Sequence, residues 1–281
     1  MESRRWSWRR FALAHISGYL EPLLDSFSPQ GVHWVSNLLS QKSIPPRERL
    51  IVALDVPSPA EALELVERLG DQALFYKLGL ELCMAGGYFE LLEELRRRGK
   101  KIFVDLKFFD VPATVGRAVR RLRERGASFA TVHGNDAMLE AACREKGHLQ
   151  LLAVTVLTSL DRGDLDDLGF RVDLEKLVLS RARRALALGC DGVISSGLEA
   201  QALRNELGNK FLVISPGIRP VENREIDDQK RTVNVEEAFR NGADYIVVGR
   251  PIRDAADPAS ATAAIQETIQ KLFVRPGSDP K

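Results

Sequence analysis

The chain has little of what usually marks a metal centre or a disulfide scaffold. It holds three cysteines and four histidines among 281 residues. Cys83, Cys143 and Cys190 are odd in number and widely spaced, which indicates neither a disulfide framework nor a zinc knuckle and fits the reducing cytoplasm. His15, His33, His133 and His148 form no HExxH pattern, and there is no P-loop motif. Charge of one sign is missing too: 40 basic residues face 39 acidic ones, a net charge of +1. That gives no global pull toward nucleic acid or membrane, so any bound anion must be held by local placement of charge. No uncharged apolar run approaches the roughly 18 residues of a membrane span.

What the chain does have is apolar mass, 44% of its residues, in a length that suits about two ordinary domains or one large α/β barrel. Residues 1–46 stand apart. Between positions 3 and 20 lie Arg4, Arg5, Arg9 and Arg10 with no acid, interleaved with Trp6, Trp8, Phe11 and Leu13. A targeting or membrane-surface segment is one reading. Glu21, Asp25 and the Pro45-Pro46 pair interrupt any continuous amphipathic helix, and the plain reading is a loosely structured N-terminal extension. The expected organisation is that extension (1–46), one barrel domain (47–275) and a short tail (276–281).

From Leu50 onward, short β-rich runs alternate with helical spacing. The runs fall at 50–54, 73–78, 101–106, 128–132, 150–157, 191–194, 211–215 and 244–248. Leu82, Ala85, Phe89 and Leu92 mark one helix, and Val111, Val115, Ala118 and Leu122 another. Gly99, Gly126 and Gly189 act as stop signals, and Ser58-Pro59-Ala60-Glu61 reads as a capping box with proline at the first helical position. Eight such units in about 225 residues predict an α/β fold, a single-domain (β/α)8 TIM barrel. A doubly wound sheet would carry a glycine-rich turn after its first strand, where this chain has Asp55-Val56-Pro57-Ser58.

A barrel places chemistry at the C-terminal ends of its strands, and the charges lie there. Strand one ends in Asp55, strand two carries Lys77, and strand three runs into Asp105-Leu106-Lys107-Phe108-Phe109-Asp110. Strand alternation puts Asp105 and Lys107 on one side and Leu106 on the other. Charges buried in a barrel mouth are costly unless paired, so the economical arrangement alternates lysine with carboxylate. A lysine among carboxylates keeps its proton, which suits a general acid or carbanion stabiliser rather than a Schiff base. His133, ending strand four, reads as a structural histidine. Arg219 after strand seven, the polar stretch with Gln229, and Gly249-Arg250 after strand eight form a second cluster suited to a phosphate. Thr158 and Ser159 fall at the mouth, where they could read a polar heterocycle.

These motifs resemble orotidine 5′-phosphate decarboxylases of the bacterial type, over about residues 48–273. The resemblance lies in DLKFFDVPATV (105–115), AVTVLTS (153–159), SPGIRP (215–220), DDQKR (227–231) and VVGRPI (247–252). It implies conversion of orotidine 5′-phosphate to uridine 5′-phosphate and carbon dioxide in pyrimidine biosynthesis, with no cofactor and no metal. It further implies that Lys107 protonates carbon 6, that Asp105 lies against the substrate carboxylate, and that Lys77 and Asp110 complete the charge network. Asp55 and Lys77 would hold ribose hydroxyls, and Thr158 and Ser159 the pyrimidine. Arg219, Gln229, Gly249 and Arg250 would hold the phosphate. A homodimer is implied, with Asp110 and Thr114 contributed across its interface. Phe109 and Ala113 depart from the histidine and asparagine frequent in the family. The alternatives are a magnesium-dependent sugar-phosphate decarboxylase or aldolase of the same barrel superfamily, and a non-catalytic nucleotide-binding barrel.

Overall fold

Residues 38–169, 171, 173–219 and 233–274 are described by a computed structural model. Strand β1 (Leu50–Ala53) leads through the Asp55 turn into helix α1 (Pro59–Leu69). Next come β2 (Phe75–Leu78), α2 (Leu80–Met84), α3 (Tyr88–Arg97), β3 (Lys101–Phe108) and α4 (Pro112–Glu124). They are followed by β4 (Phe129–His133), α5 (Asp136–Glu145), β5 (Gln150–Val154), α6 (Arg162–Asp167) and α7 (Leu174–Ala187). The last units are β6 (Gly192–Ile194), α8 (Ala200–Leu207), β7 (Leu212–Ser215), α9 (Val235–Arg240), β8 (Tyr245–Val248), α10 (Arg250–Arg253) and α11 (Pro258–Phe273). Neighbouring strands pair in parallel from β1 to β8, and β8 pairs with β1, so the expected (β/α)8 barrel is closed.

Two local expectations need correction. The helix predicted through Leu82, Ala85, Phe89 and Leu92 is two helices, α2 and α3. Gly86 and Gly87 separate them at φ +78° and +68°, a left-handed conformation that glycine adopts without a Cβ penalty. Apolar spacing reports a face and is blind to a reversal of backbone handedness. The strand predicted over 150–157 stops at Val154, after which the chain turns along the mouth. The Ser58 cap is present: its Oγ accepts the Glu61 amide at 3.2 Å and donates to the Glu61 carboxylate at 2.9 Å.

Alternate residues of each strand divide between two cores. Leu50, Val52, Leu78, Val104 and their kin face the helices. Ile51, Phe75, Phe103, Phe129, Leu152 and Tyr245 face inward and fill the barrel. Their rings form a packed aromatic layer: Phe129 lies 4.9 Å from Phe75 and 5.1 Å from Tyr245, centroid to centroid.

The N-terminal ends of the strands are tied by ions. Asp244, fully buried just before β8, takes Arg204 Nη2 at 2.7 Å and the Val213 amide at 3.0 Å on one oxygen. Lys42 Nζ lies 3.0 Å from both oxygens, and Ser40 donates to the other. Ile44 packs against the inner cluster from the same end. Residues 38–46 are therefore bonded into the barrel, and the boundary expected at 46/47 falls too late. Their contribution was hidden because each polar anchor in this stretch meets a partner some two hundred positions away. The expectations for residues 1–37 and 276–281 lie outside the described residues.

Removing the Asp244 carboxylate leaves Arg204, 1% exposed, as an unpaired buried cation. Asp244→Ala should lower unfolding free energy by about 3–5 kcal/mol, read from urea denaturation. A loss under about 1 kcal/mol would mean that the cluster contributes little.

Candidate active site

A cavity of about 510 Å³ opens at the C-terminal ends of the strands. Its floor is the next inward layer above the aromatic one. With a period of two, Asp55 follows Ala53, Lys77 follows Phe75, Asp105 follows Phe103 and Thr131 follows Phe129. A polar ring thus rests directly on a hydrocarbon and aromatic plug that excludes water from below.

The ring is a chain of alternating charge. Asp55 Oδ1 accepts from Lys77 Nζ at 2.8 Å; Lys77 Nζ lies 3.7 Å from Asp105 Oδ2; Asp105 Oδ1 accepts from Lys107 Nζ at 3.0 Å. Burial pushes the Asp105 carboxyl up. The charges of Lys77 and Lys107, with hydrogen bonds from Lys107 and Thr131, outweigh burial and hold it below the ordinary carboxylate range. Asp105 is accordingly an anion in a largely dry setting. Gly79 makes room for the pair beside it, since a Cβ there would lie 3.2 Å from Lys77 Nζ.

The geometry of Lys107 is unusual. Between β3 and β4 the register passes from Val104↔Ala130 to Phe108↔Val132, four steps along β3 against two along β4. The two extra residues preserve the phase, so Asp105 and Lys107 still face inward while Leu106 and Phe108 pack against the outer core. Lys107 itself sits at φ +48°, the single non-glycine residue with positive φ among the described residues. Such a conformation costs about 1–3 kcal/mol and persists only where the surroundings enforce it. The Lys107 amide, removed from the strand ladder, donates to Thr131 Oγ1 at 2.9 Å, and Thr131 Oγ1 donates to Asp105 Oδ1 at 2.9 Å.

Of the other residues singled out in the sequence, Thr158, Ser159, Arg219, Gly249 and Arg250 all line this cavity. Asp110 and Thr114 do not. They border a flanking groove of about 300 Å³ that shares Lys107 with the main cavity, and Asp110 Oδ1 accepts the Val111 amide at 2.6 Å. Gln229 lies outside the described residues. His133 packs edge-on to Phe109 at 5.2 Å, and burial, then Arg181 and Lys107, hold its imidazole below the usual histidine range.

Two lining or supporting residues were missed in the sequence. Arg253 lines the cavity and donates to the Asp55 backbone carbonyl. Its signal was available: it lies one helical turn past Arg250. Thr131 was hidden inside an apolar strand, where its one signal is being the inward polar residue two places after Phe129.

The comparisons agree with this architecture. Residues 48–265 match the orotidine 5′-phosphate decarboxylase / HUMPS family. Among curated relatives, the orotidine 5′-phosphate decarboxylase of Methylococcus capsulatus is 66% identical over 237 residues, 84% of this chain and 98% of that protein. That of Stenotrophomonas maltophilia is 52% identical over 235 residues, 82% of this chain and 97% of that protein. The crystal structure of orotidine 5′-phosphate decarboxylase from Lactobacillus acidophilus superposes with a TM-score of 0.71 at 35% identity, covering 79% of this chain and 99% of that one. An identity of two residues in three along almost the whole length of a relative leaves one assignment: the chain belongs to the orotidine 5′-phosphate decarboxylase / HUMPS family.

Proposed function

We propose that this chain decarboxylates orotidine 5′-phosphate to uridine 5′-phosphate in pyrimidine biosynthesis, with no cofactor, through proton delivery by Lys107. The observation that carries the reading is the Asp55–Lys77–Asp105–Lys107 chain of alternating charge at the floor of a cavity that Arg219 and Arg250 also line. Loss of carbon dioxide from carbon 6 leaves an electron pair in the plane of the ring, where the π system cannot delocalise it. A cation fixed in advance at that position lowers the barrier, because it need not reorganise as charge develops. The Lys107 ammonium then transfers a proton to carbon 6 and regains one from solvent. Asp105, held ionised beside it, lies against the departing carboxylate in this reading.

Asp55 and Lys77 hold ribose hydroxyls, and Thr158 and Ser159 meet the pyrimidine. Arg219, Gln229, Gly249 and Arg250 take the phosphate, and its binding energy helps to lock the network around the reacting carbon. Asp110 and Thr114 serve the neighbouring site of a homodimer. Their position beside the main cavity supports this, as do Phe109 and Val111, which are 64% and 63% exposed next to them and suit a surface covered by a second copy. The three cysteines are free thiols, which fits a cytoplasmic protein. Among the described residues, no helix is long and apolar enough to cross a membrane.

The direct test is spectrophotometric loss of orotidine 5′-phosphate with a chelator present. Turnover supports the reading. Turnover abolished by the chelator would move the chain to a magnesium-dependent relative, and binding of uridine 5′-phosphate without turnover would make it a non-catalytic barrel.

Lys107→Ala should cut kcat by about a thousandfold or more while the protein stays folded by circular dichroism; activity near that of the parent would reject the proton-donor role. Arg250→Ala should weaken use of orotidine 5′-phosphate about 10–100-fold, the loss of a charge-assisted hydrogen bond, and leave unphosphorylated orotidine nearly unaffected. Equal losses on both would remove Arg250 from the phosphate site. The depressed Asp105 carboxyl stabilises the fold at pH above its unfolded value of about 3.9, and that contribution is lost as pH falls through its lower folded value. In urea titrations between about pH 2 and 5, Asp105→Asn should therefore flatten the acid slope of stability. An unaltered slope would show that the group titrates alike in both states.

A further inference from the structure

We infer that Thr131 is a positioning residue for the reaction: its hydroxyl bridges the Lys107 amide and the Asp105 carboxylate, and so fixes the proton donor relative to its anion. The inference rests on the reading of Lys107 as the proton donor. Thr131 is fully buried on β4, between inward-facing Phe129 below and His133 above. Its Oγ1 has one hydrogen to give and accepts with its lone pairs. Both capacities are used, accepting from the Lys107 N–H at 2.9 Å and donating to Asp105 Oδ1 at 2.9 Å. The same Asp105 oxygen receives Lys107 Nζ at 3.0 Å. A closed loop results: backbone of 107, hydroxyl of 131, carboxylate of 105, ammonium of 107.

That loop has two consequences. Lys107 sits in a left-handed conformation within a bulge, where the strand ladder no longer holds its amide. The threonine supplies the bond that the bulge removes, from a side chain rather than a backbone carbonyl. It also fixes which way the Asp105 carboxylate is turned: Oδ1 toward Thr131 and Lys107, Oδ2 toward Lys77. Without the hydroxyl, the carboxylate keeps its two lysines but loses its third anchor, the amide of 107 loses that partner, and the ammonium is held less firmly. A group misplaced by about 1 Å is enough to cost on the order of 100-fold in rate. No substrate group need touch Thr131 for this, so ground-state binding is largely spared.

The test is a series at position 131 beside Lys107→Ala, with kcat and KM for orotidine 5′-phosphate and the affinity for uridine 5′-phosphate measured on each variant. Thr131→Val keeps the shape and removes both bonds. It should lower kcat about 10–100-fold, with KM and product affinity within about threefold. Thr131→Ser restores the hydroxyl and should recover kcat to within about threefold of the parent. Should the valine variant fail to fold, Thr131→Ala against Thr131→Ser gives the same contrast. A valine variant with parental kcat overturns the inference, as does a serine variant as slow as valine, which would show that restoring the hydroxyl does not restore the rate. If Lys107→Ala is inactive while Thr131→Val is normal, only the role of Thr131 falls. If Lys107→Ala is active, the proton-donor reading falls and carries this inference with it.

Discussion

One carboxylate organises the mouth of this barrel. Two lysines and a buried hydroxyl converge on Asp105 from β2, β3 and β4, and Lys77 is in turn held by Asp55 from the turn after β1. The buried members, Lys77 and Asp105, would be costly alone above a floor of phenylalanine rings. Together they satisfy one another, and the low-polarity floor makes each contact stronger than it would be in water. The arrangement is stable because it is paired, and its last member, Lys107, faces the cavity.

The two ends of the barrel are organised by the same principle toward different results. At the N-terminal ends, Asp244 gathers Arg204, Lys42 and Ser40, and the Asp244 and Arg204 side chains are almost wholly buried. At the C-terminal ends, the network is left open on one side, with Lys107 about two-fifths exposed against the near-complete burial of Arg204. The aromatic layer between them separates the two. Ion pairing holds the barrel closed at one end and presents charge at the other.

Much of this was legible in the chain itself. Runs such as 50–54 and 244–248 give away their strands because parallel barrel strands are buried on both faces. Asp55, Lys77, Asp105 and Lys107 give away the site because charge at the end of an apolar strand has few reasons to be there. Other features escape a reading of spacing. The bulge at 105–107 inserts two residues and so leaves the alternation of faces intact, which is the very signal being read. The Gly86-Gly87 break preserves an apolar stripe across two helices. Ser40, Lys42 and Ile44 look like linker because their partners are remote in sequence, and Thr131 looks like ordinary strand because its bonds are made to a backbone distorted elsewhere.

The conformation of Lys107 sets an evolutionary constraint. The residue most at ease with its backbone is glycine, which carries no side chain at all. Relief of the local torsion and possession of a proton are thus mutually exclusive at this one position. If Lys107 is the donor proposed above, sequence drift there has no gradual path: a replacement that relaxes the chain removes the donor, and one that keeps a long cation inherits the same awkward bend.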